Sequence, residues 1–226
     1  MSAPFDQSFA TLPMSDRYKL LCGLVIPRPI ALVTTLGPAG LVNAAPFSFF
    51  NVFSEDPPLV VLGLQSKPDG SLKDTATNIR ETGCFVVNLV DASLAERMNI
   101  CSIDFPSDVS EIDMAGLSTV PSSAIAAPRI AEAPVSLECR HYLTLEISRE
   151  RRLCMGEVLH VHARPGIVDP ARLYVDVDKY QPVARLFGNY YATLGEKFTF
   201  QRRTYAEWNE SGATTPGSAG RSRAPS

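Results

Sequence analysis

A β-dominated barrel is what this sequence predicts, on three observations. Short apolar runs recur between clusters of Gly, Pro, Asp and Ser. Helical periodicity is confined to brief stretches, and strands and helices do not alternate regularly enough for a doubly wound sheet. Neither a G-x-G-x-x-G nor a G-x-x-x-x-G-K-[ST] signature is present, so no Rossmann or P-loop nucleotide site is expected.

Taken in order, the first twenty-odd residues read as a lead-in that packs onto the core. Residues 29–35 form a β-rich run, 36–40 a Gly/Pro turn cluster, and 41–53 the return of a hairpin. Asp56, Pro57 and Pro58 punctuate the chain. Residues 59–65 follow as a short strand whose unbroken hydrophobicity predicts burial on both faces. Residues 71–81 read as a helix: Ser71 and Asp74 make an S-x-x-D capping pattern, Leu72, Ala76 and Ile79 recur at helical spacing, and Gly83 stands just past the end. A second buried strand at 84–90 and a helix at 93–98 come next. Residues 104–134, with many Pro, Ser, Ala and Gly, predict an irregular excursion with short helical turns. Residues 135–147 and 153–163 predict an antiparallel pair of strands. One domain spans 1–208, and 209–226, with almost no apolar anchors, reads as a disordered tail.

The bulk numbers narrow the function classes. A chain of 226 residues with 45% apolar content suits one soluble domain. A net charge of −3 gives no reason to expect nucleic acid or an acidic membrane as partner. Cys22, Cys84, Cys101, Cys139 and Cys154 are odd in number and form no C-x-x-C pair, so they read as free thiols in a reducing compartment. No apolar run reaches the roughly 18–20 residues a membrane helix needs, and the N-terminus lacks a signal pattern. Cytoplasm is the expected location.

Chemistry concentrates at residues 43–51 and 71–79. Ser71, Lys73, Asp74 and Thr75 place hydroxyls, an ammonium and backbone N–H groups in one helical turn, the set that holds a phosphate dianion. The same residues also suit a plain capping role with Lys73 in water. Upstream, small Ala44 and Ala45 let a planar ring approach the backbone. Phe47, Phe49 and Phe50 offer aromatic walls or core packing, and Thr34, Thr35, Ser48 and Asn51 supply hydrogen-bonding groups.

Several ordered motifs resemble the flavin reductase-like family of FMN-binding split-barrel proteins. They are Arg28-Pro29-Ile30-Ala31-Leu32-Val33-Thr34-Thr35, the run 43–51, Ser54-Glu55-Asp56-Pro57-Pro58-Leu59-Val60, Lys73-Asp74-Thr75, Asn78-Ile79, Thr82-Gly83 and Phe85-Val86-Val87-Asn88. Gly156-Glu157-Val158 through His162, and Arg185-Leu186 through Tyr190-Tyr191, look similar too. The likeness covers roughly residues 20–200. It implies a six-stranded Greek-key split barrel with a few peripheral helices, a homodimer, and noncovalent FMN near the subunit interface. It further implies that Thr34, Thr35, Ala45, Pro46, Phe47, Ser48 and Asn51 approach the flavin or its ribityl chain, and that Lys73, Asp74 and Thr75 sit at its phosphate.

The expected activity is an NAD(P)H:flavin oxidoreductase, with hydride passing from nicotinamide C4 to flavin N5 and electrons going on to a monooxygenase or another acceptor. Either NADH or NADPH is compatible with the sequence. A non-enzymatic FMN electron carrier is the alternative. His160 and His162 alternate along one strand and share a face. They suit a metal, a place beside the flavin, or simple packing. No third ligand is evident, so no metal is expected, and His162 is the one candidate for an orienting or proton-donating group. The run Arg149-Glu150-Arg151-Arg152 reads as a solvated strand end, or as an attractor for a dinucleotide phosphate.

Overall fold

The fold was described from a computed structural model, in which residues 3–37 and 40–210 are described. The chain divides into two units, Met1–Leu194 and Gly195–Ser226.

The first unit is organised by a seven-stranded sheet in the order β3-β2-β6-β9-β10-β5-β4, antiparallel throughout. Its strands are β2 (Ala31–Leu36), β3 (Val42–Phe47), β4 (Phe50–Glu55), β5 (Pro58–Gln65), β6 (Cys84–Leu89), β9 (Val135–Glu146) and β10 (Arg151–Ala163). The edge strands β3 and β4 are consecutive in sequence, joined only by Ser48 and Phe49. Such a link spans no more than about 11 Å, whereas seven flat strands would set the edges about 29 Å apart. The sheet must therefore roll until its edges meet. At that seam the Gly63 N–H donates to the Phe49 carbonyl at 2.7 Å.

The six strands implied by the resemblance are thus seven. The run 41–53, expected as one strand, breaks at Ser48 and Phe49 into two segments that pair at opposite edges. The β2–β3 hairpin is as expected, closed by the Gly37 N–H on the Leu41 carbonyl at 2.8 Å and by Gly40 at φ +82°. Pro38 and Ala39 of the expected turn lie outside the described residues. β6 is buried on both faces. β5 instead alternates, with Val60, Leu62 and Leu64 inside and Val61 and Gly63 only half-covered.

The barrel interior holds Val33, Val60, Leu62, Phe85, Cys139 and Cys154, together with Ile79 of α2 (Asp74–Thr82), which packs into the same cluster. Each fully buried large side chain contributes about 1.5–3 kcal/mol. Because Phe85, Val87 and Cys139 face inward, period-2 alternation sends Val86 and Glu138 outward. A second cluster, with Leu32, Ala44, Leu94, Met98, Ile112 and Ile130, is covered by α3 (Ala95–Ile100), α4 (Glu111–Met114) and the short pair β7 (Thr119–Val120) and β8 (Arg129–Ile130). Of these, α3 is the helix expected at 93–98, and α4, β7 and β8 belong to the expected excursion. A separate three-stranded sheet joins β1 (Arg28–Pro29), β11 (Val183–Arg185) and β12 (Tyr191–Thr193), and α5 (Val177–Tyr180) precedes β11.

Two expectations fail locally. α2 starts at Asp74, three residues later than expected, with Lys73 at the N-cap and no side-chain cap. The Ser71 N–H and hydroxyl both donate to Asp69 Oδ1, at 2.8 and 2.7 Å, so Ser71 closes a local Asx turn instead. Its other end is as expected, with Gly83 in the left-handed region at φ +69°. The lead-in does not pack as expected either. In α1 (Met14–Leu24) only Cys22 is buried, while Tyr18, Leu21 and Leu24 are exposed.

The second unit contains α6 (Tyr205–Glu210). The Phe198 and Phe200 rings meet edge-on at 5.4 Å. Of the expected tail, residues 211–226 lie outside the described residues. Among the described residues, no helix is long and apolar enough to cross a membrane.

Candidate functional site

The edge of β3 and the first turn of α2 lie together. Asn43 Nδ2 donates to Thr75 Oγ1 at 3.0 Å, tying strand to helix. As at any helix start, the first N–H groups of α2, those of Asp74 and Thr75, have no acceptor within the helix. Lys73 stands beside them at the N-cap. Its Nζ is 2.9 Å from Asp104 in an exposed ion pair, and Lys67 Nζ is 3.5 Å from Asp74.

Glu111, which the sequence did not flag, occupies the outer edge of β3. Its Oε2 accepts the Ala44 N–H at 3.1 Å. Burial pushes the Glu111 carboxyl above the usual range and the Asp74 charge adds to this, against the opposing Ala44 N–H.

Ala45, Pro46, Phe47 and Ser48 are half-covered, and Phe47 packs partly on the barrel interior. Ser48 Oγ accepts from Arg28 Nε at 3.5 Å, the limit of a hydrogen bond. The buried Arg28 guanidinium donates to three carbonyls: Cys22 at 2.5 Å, Val25 at 2.9 Å and Leu186 at 2.6 Å. It thereby ties the end of α1 and the β11–β12 connection to the seam. Asn51 lies beyond the seam on β4, exposed, its Oδ1 accepting the Val52 N–H.

Thr34 and Thr35 do not reach this surface. Both are fully buried. The Thr34 hydroxyl donates to the Pro128 carbonyl at 2.6 Å and accepts from Asn88, and Thr35 Oγ1 accepts from Asn78 Nδ2. In this arrangement both hydroxyls serve internal bracing. Both faces of β2 are covered, so side-chain direction there carries no signal of exposure.

His162 is also removed from the site. It lies on the outer face of β10, its Nε2 2.6 Å from Glu138 Oε1. Glu138 is fully buried and accepts the N–H groups of Ser123 and Ala124, both at 2.7 Å. The pair clamps the excursion onto the barrel. His160 stacks on His162 at 4.5 Å, and among the described residues no cluster of three metal-ligating side chains forms. Tyr190 is exposed against Phe187, while the Tyr191 hydroxyl bonds Arg185 and Asn99.

Residues 23–184 match the model of the family described as flavin reductase like domain. The chain belongs to the flavin reductase-like family. Among solved relatives, the 2-nitrobenzoate 2-nitroreductase NbaA of Pseudomonas fluorescens is 39% identical, with a TM-score of 0.82 over 89% of this chain and 98% of that one. Nitrilotriacetate monooxygenase component B of Bacillus cereus is 33% identical, with a TM-score of 0.83 over 88% and 100%. A Shewanella frigidimarina protein with a split barrel domain is 21% identical at a TM-score of 0.75, over 86% and 96%, a likeness of fold. The rolled, split sheet is thus the family's barrel.

Proposed function

We propose that this chain is an FMN-dependent oxidoreductase that takes reducing equivalents from NADH or NADPH and delivers them to a second acceptor. The observation that carries this reading is the Asn43–Thr75 bond, which holds a small-residue strand edge against a helix start. When bound, FMN supplies the hydride-accepting and electron-releasing chemistry.

The donor set fits the group. The open N–H groups of Asp74 and Thr75 and the Lys73 ammonium suit a phosphate. Lys73 leaves Asp104 at little cost, because an exposed ion pair contributes about 0–1 kcal/mol. Small Ala45 and half-covered Pro46 and Phe47 leave room for a flat ring, with Ser48 and Asn51 beside it. The chain's part is to orient both ring systems and exclude water, so no acid–base dyad is required.

A homodimer fits the outer face of β9. Leu143 and Leu145 flank inward-facing Cys154's partner Thr144 and are each 42% exposed. Five buried free cysteines suit a reducing cytoplasm. The relatives, a nitroreductase and a monooxygenase component, favour a nitroaromatic compound or a partner monooxygenase as acceptor. Under nitrogen, NADH or NADPH is expected to bleach the flavin absorption of the FMN-loaded protein within seconds. Persistent colour with both nucleotides would favour a non-enzymatic electron carrier.

A further inference from the structure

Next to Ser48, the seam carries an aromatic ledge whose chemistry the flavin reading does not use. The Phe49 side chain is pressed onto β5: a Cβ on Gly63 would stand 2.8 Å from the Phe49 Cβ and 3.3 Å from its ring Cδ2. With the Gly63 N–H bonded to its carbonyl, Phe49 is fixed in place while the residue stays 38% exposed. The Tyr18 ring of α1 is 6.2 Å away, tilted by 40°, and Tyr18 is 52% exposed. Together they place two partly exposed aromatic side chains at one spot.

Cations surround that spot. The Arg151 guanidinium carbon lies 5.5 Å from the Phe49 ring centroid. Its neighbour Arg152 is paired with Glu146, but among the described residues Arg151 has no carboxylate partner. Arg28, behind the ledge, donates to three carbonyls and, at 3.5 Å, to the Ser48 hydroxyl. Both guanidiniums favour the Tyr18 phenolate, although burial and then Cys22 outweigh them and raise its pKa. Their fields therefore converge on the ledge.

We infer that the Tyr18–Phe49–Arg151 ledge binds the adenosine end of a nicotinamide dinucleotide, with Arg151 gripping a 2′-phosphate. This makes NADPH the preferred donor, and it rests on the reductase reading above. The rings would stack the purine, as aromatic side chains stack any base. A site for a free ribose diol needs a carboxylate to accept its hydroxyls, whereas an arginine accommodates the 2′-phosphate. A planar guanidinium stacked on a ring keeps its N–H edges free for bidentate bonds to a monoester dianion. Proximity to Ser48, one residue from Phe49, puts the ledge beside the surface proposed for the flavin.

Calorimetric titration of the full chain with adenosine 2′,5′-bisphosphate and with adenosine 5′-monophosphate tests the ledge without needing flavin or turnover. The bisphosphate is expected to bind roughly tenfold or more tightly, the range of one charge-assisted contact, and Arg151→Gln is expected to bring the two within about twofold. Equal affinities in the unsubstituted protein, or discrimination that survives in Arg151→Gln, would overturn the inference. In anaerobic reduction of the FMN-loaded protein, the same substitution should raise the ratio of half-saturating NADPH to NADH about tenfold; an unchanged ratio overturns the donor assignment. Selective bisphosphate binding that is lost in Arg151→Gln supports the ledge even where neither nucleotide bleaches the flavin. That outcome removes only the reductase reading.

Discussion

Gly156→Val is expected to abolish the folded barrel at ordinary temperatures, and Gly156→Ala to weaken it measurably. Gly156 lies on β10 at a register shift, with its missing side chain directed into the interior. A Cβ there would meet Phe85 Cζ at 2.3 Å and Cys139 Cβ at 3.1 Å. Phe85 is fully buried among Leu62, Ile79 and Val87, so its ring has nowhere to retreat without moving other strands. Overpacking of this kind costs about 1–3 kcal/mol for one methyl, or roughly 2–10 °C in the thermal midpoint of a domain this size. Valine adds two more methyl groups and should exceed the chain's margin. The cause is separable from a general intolerance: in Phe85→Leu the added methyl of Gly156→Ala should cost less than in the parent, a positive coupling in a double-mutant cycle. Equal thermal shifts in both backgrounds would locate the clash elsewhere.

The second large effect falls on Glu138. Glu138→Ala removes the acceptor for two N–H groups of the excursion and for His162, and leaves a void under residues 121–131. Hydrogen bonds to a charged group contribute about 1.5–3 kcal/mol each, so a loss of about 3 kcal/mol is expected. Faster amide exchange should be confined to that segment, because the barrel ladder itself is untouched. The pH dependence follows from the same geometry. Burial pushes the Glu138 carboxyl up, but the Ser123 and Ala124 N–H groups and His162 outweigh it and hold it below the ordinary range. A carboxyl depressed on folding adds stability above its unfolded value, about 4.3, and that stability is lost as pH falls through the lower folded value. Acid should therefore loosen the excursion in the parent protein below about pH 4. Glu138→Gln should lack this component of the acid sensitivity; an identical acid profile would contradict the clamp.

What the sequence disclosed follows from the range of the forces involved. The β6 strand, the β9–β10 pair and the Gly83 terminus were readable because continuous apolar runs and a glycine at a helix end act locally. The start of α2 was not, since Ser71 had two possible partners and Asp69, two residues away, took it. The break at Ser48 and Phe49 was hidden because both halves of 41–53 have strand composition, and only their pairing at opposite edges separates them. The site was half legible. Small residues at 44–45 and a helix beginning near 71 were visible, and Asn43–Thr75 joins the strand to the actual start at Asp74. The burial of Thr34 and Thr35, the Glu111 contact with Ala44 and the Glu138–His162 clamp all depend on residues brought in from distant parts of the chain. No local pattern encodes them.

If the α2 start holds the anionic tail of a flavin laid along β3, as proposed, the phosphate must contribute to binding. Equilibrium dialysis of the purified chain against FMN and against riboflavin, which has the same ring system without the phosphate, tests it most directly. FMN is expected to bind at least tenfold tighter, in line with a charge-assisted phosphate contact, and the gap is expected to shrink in Lys73→Ala. Equal affinity for FMN and riboflavin, or a gap indifferent to Lys73, would contradict it.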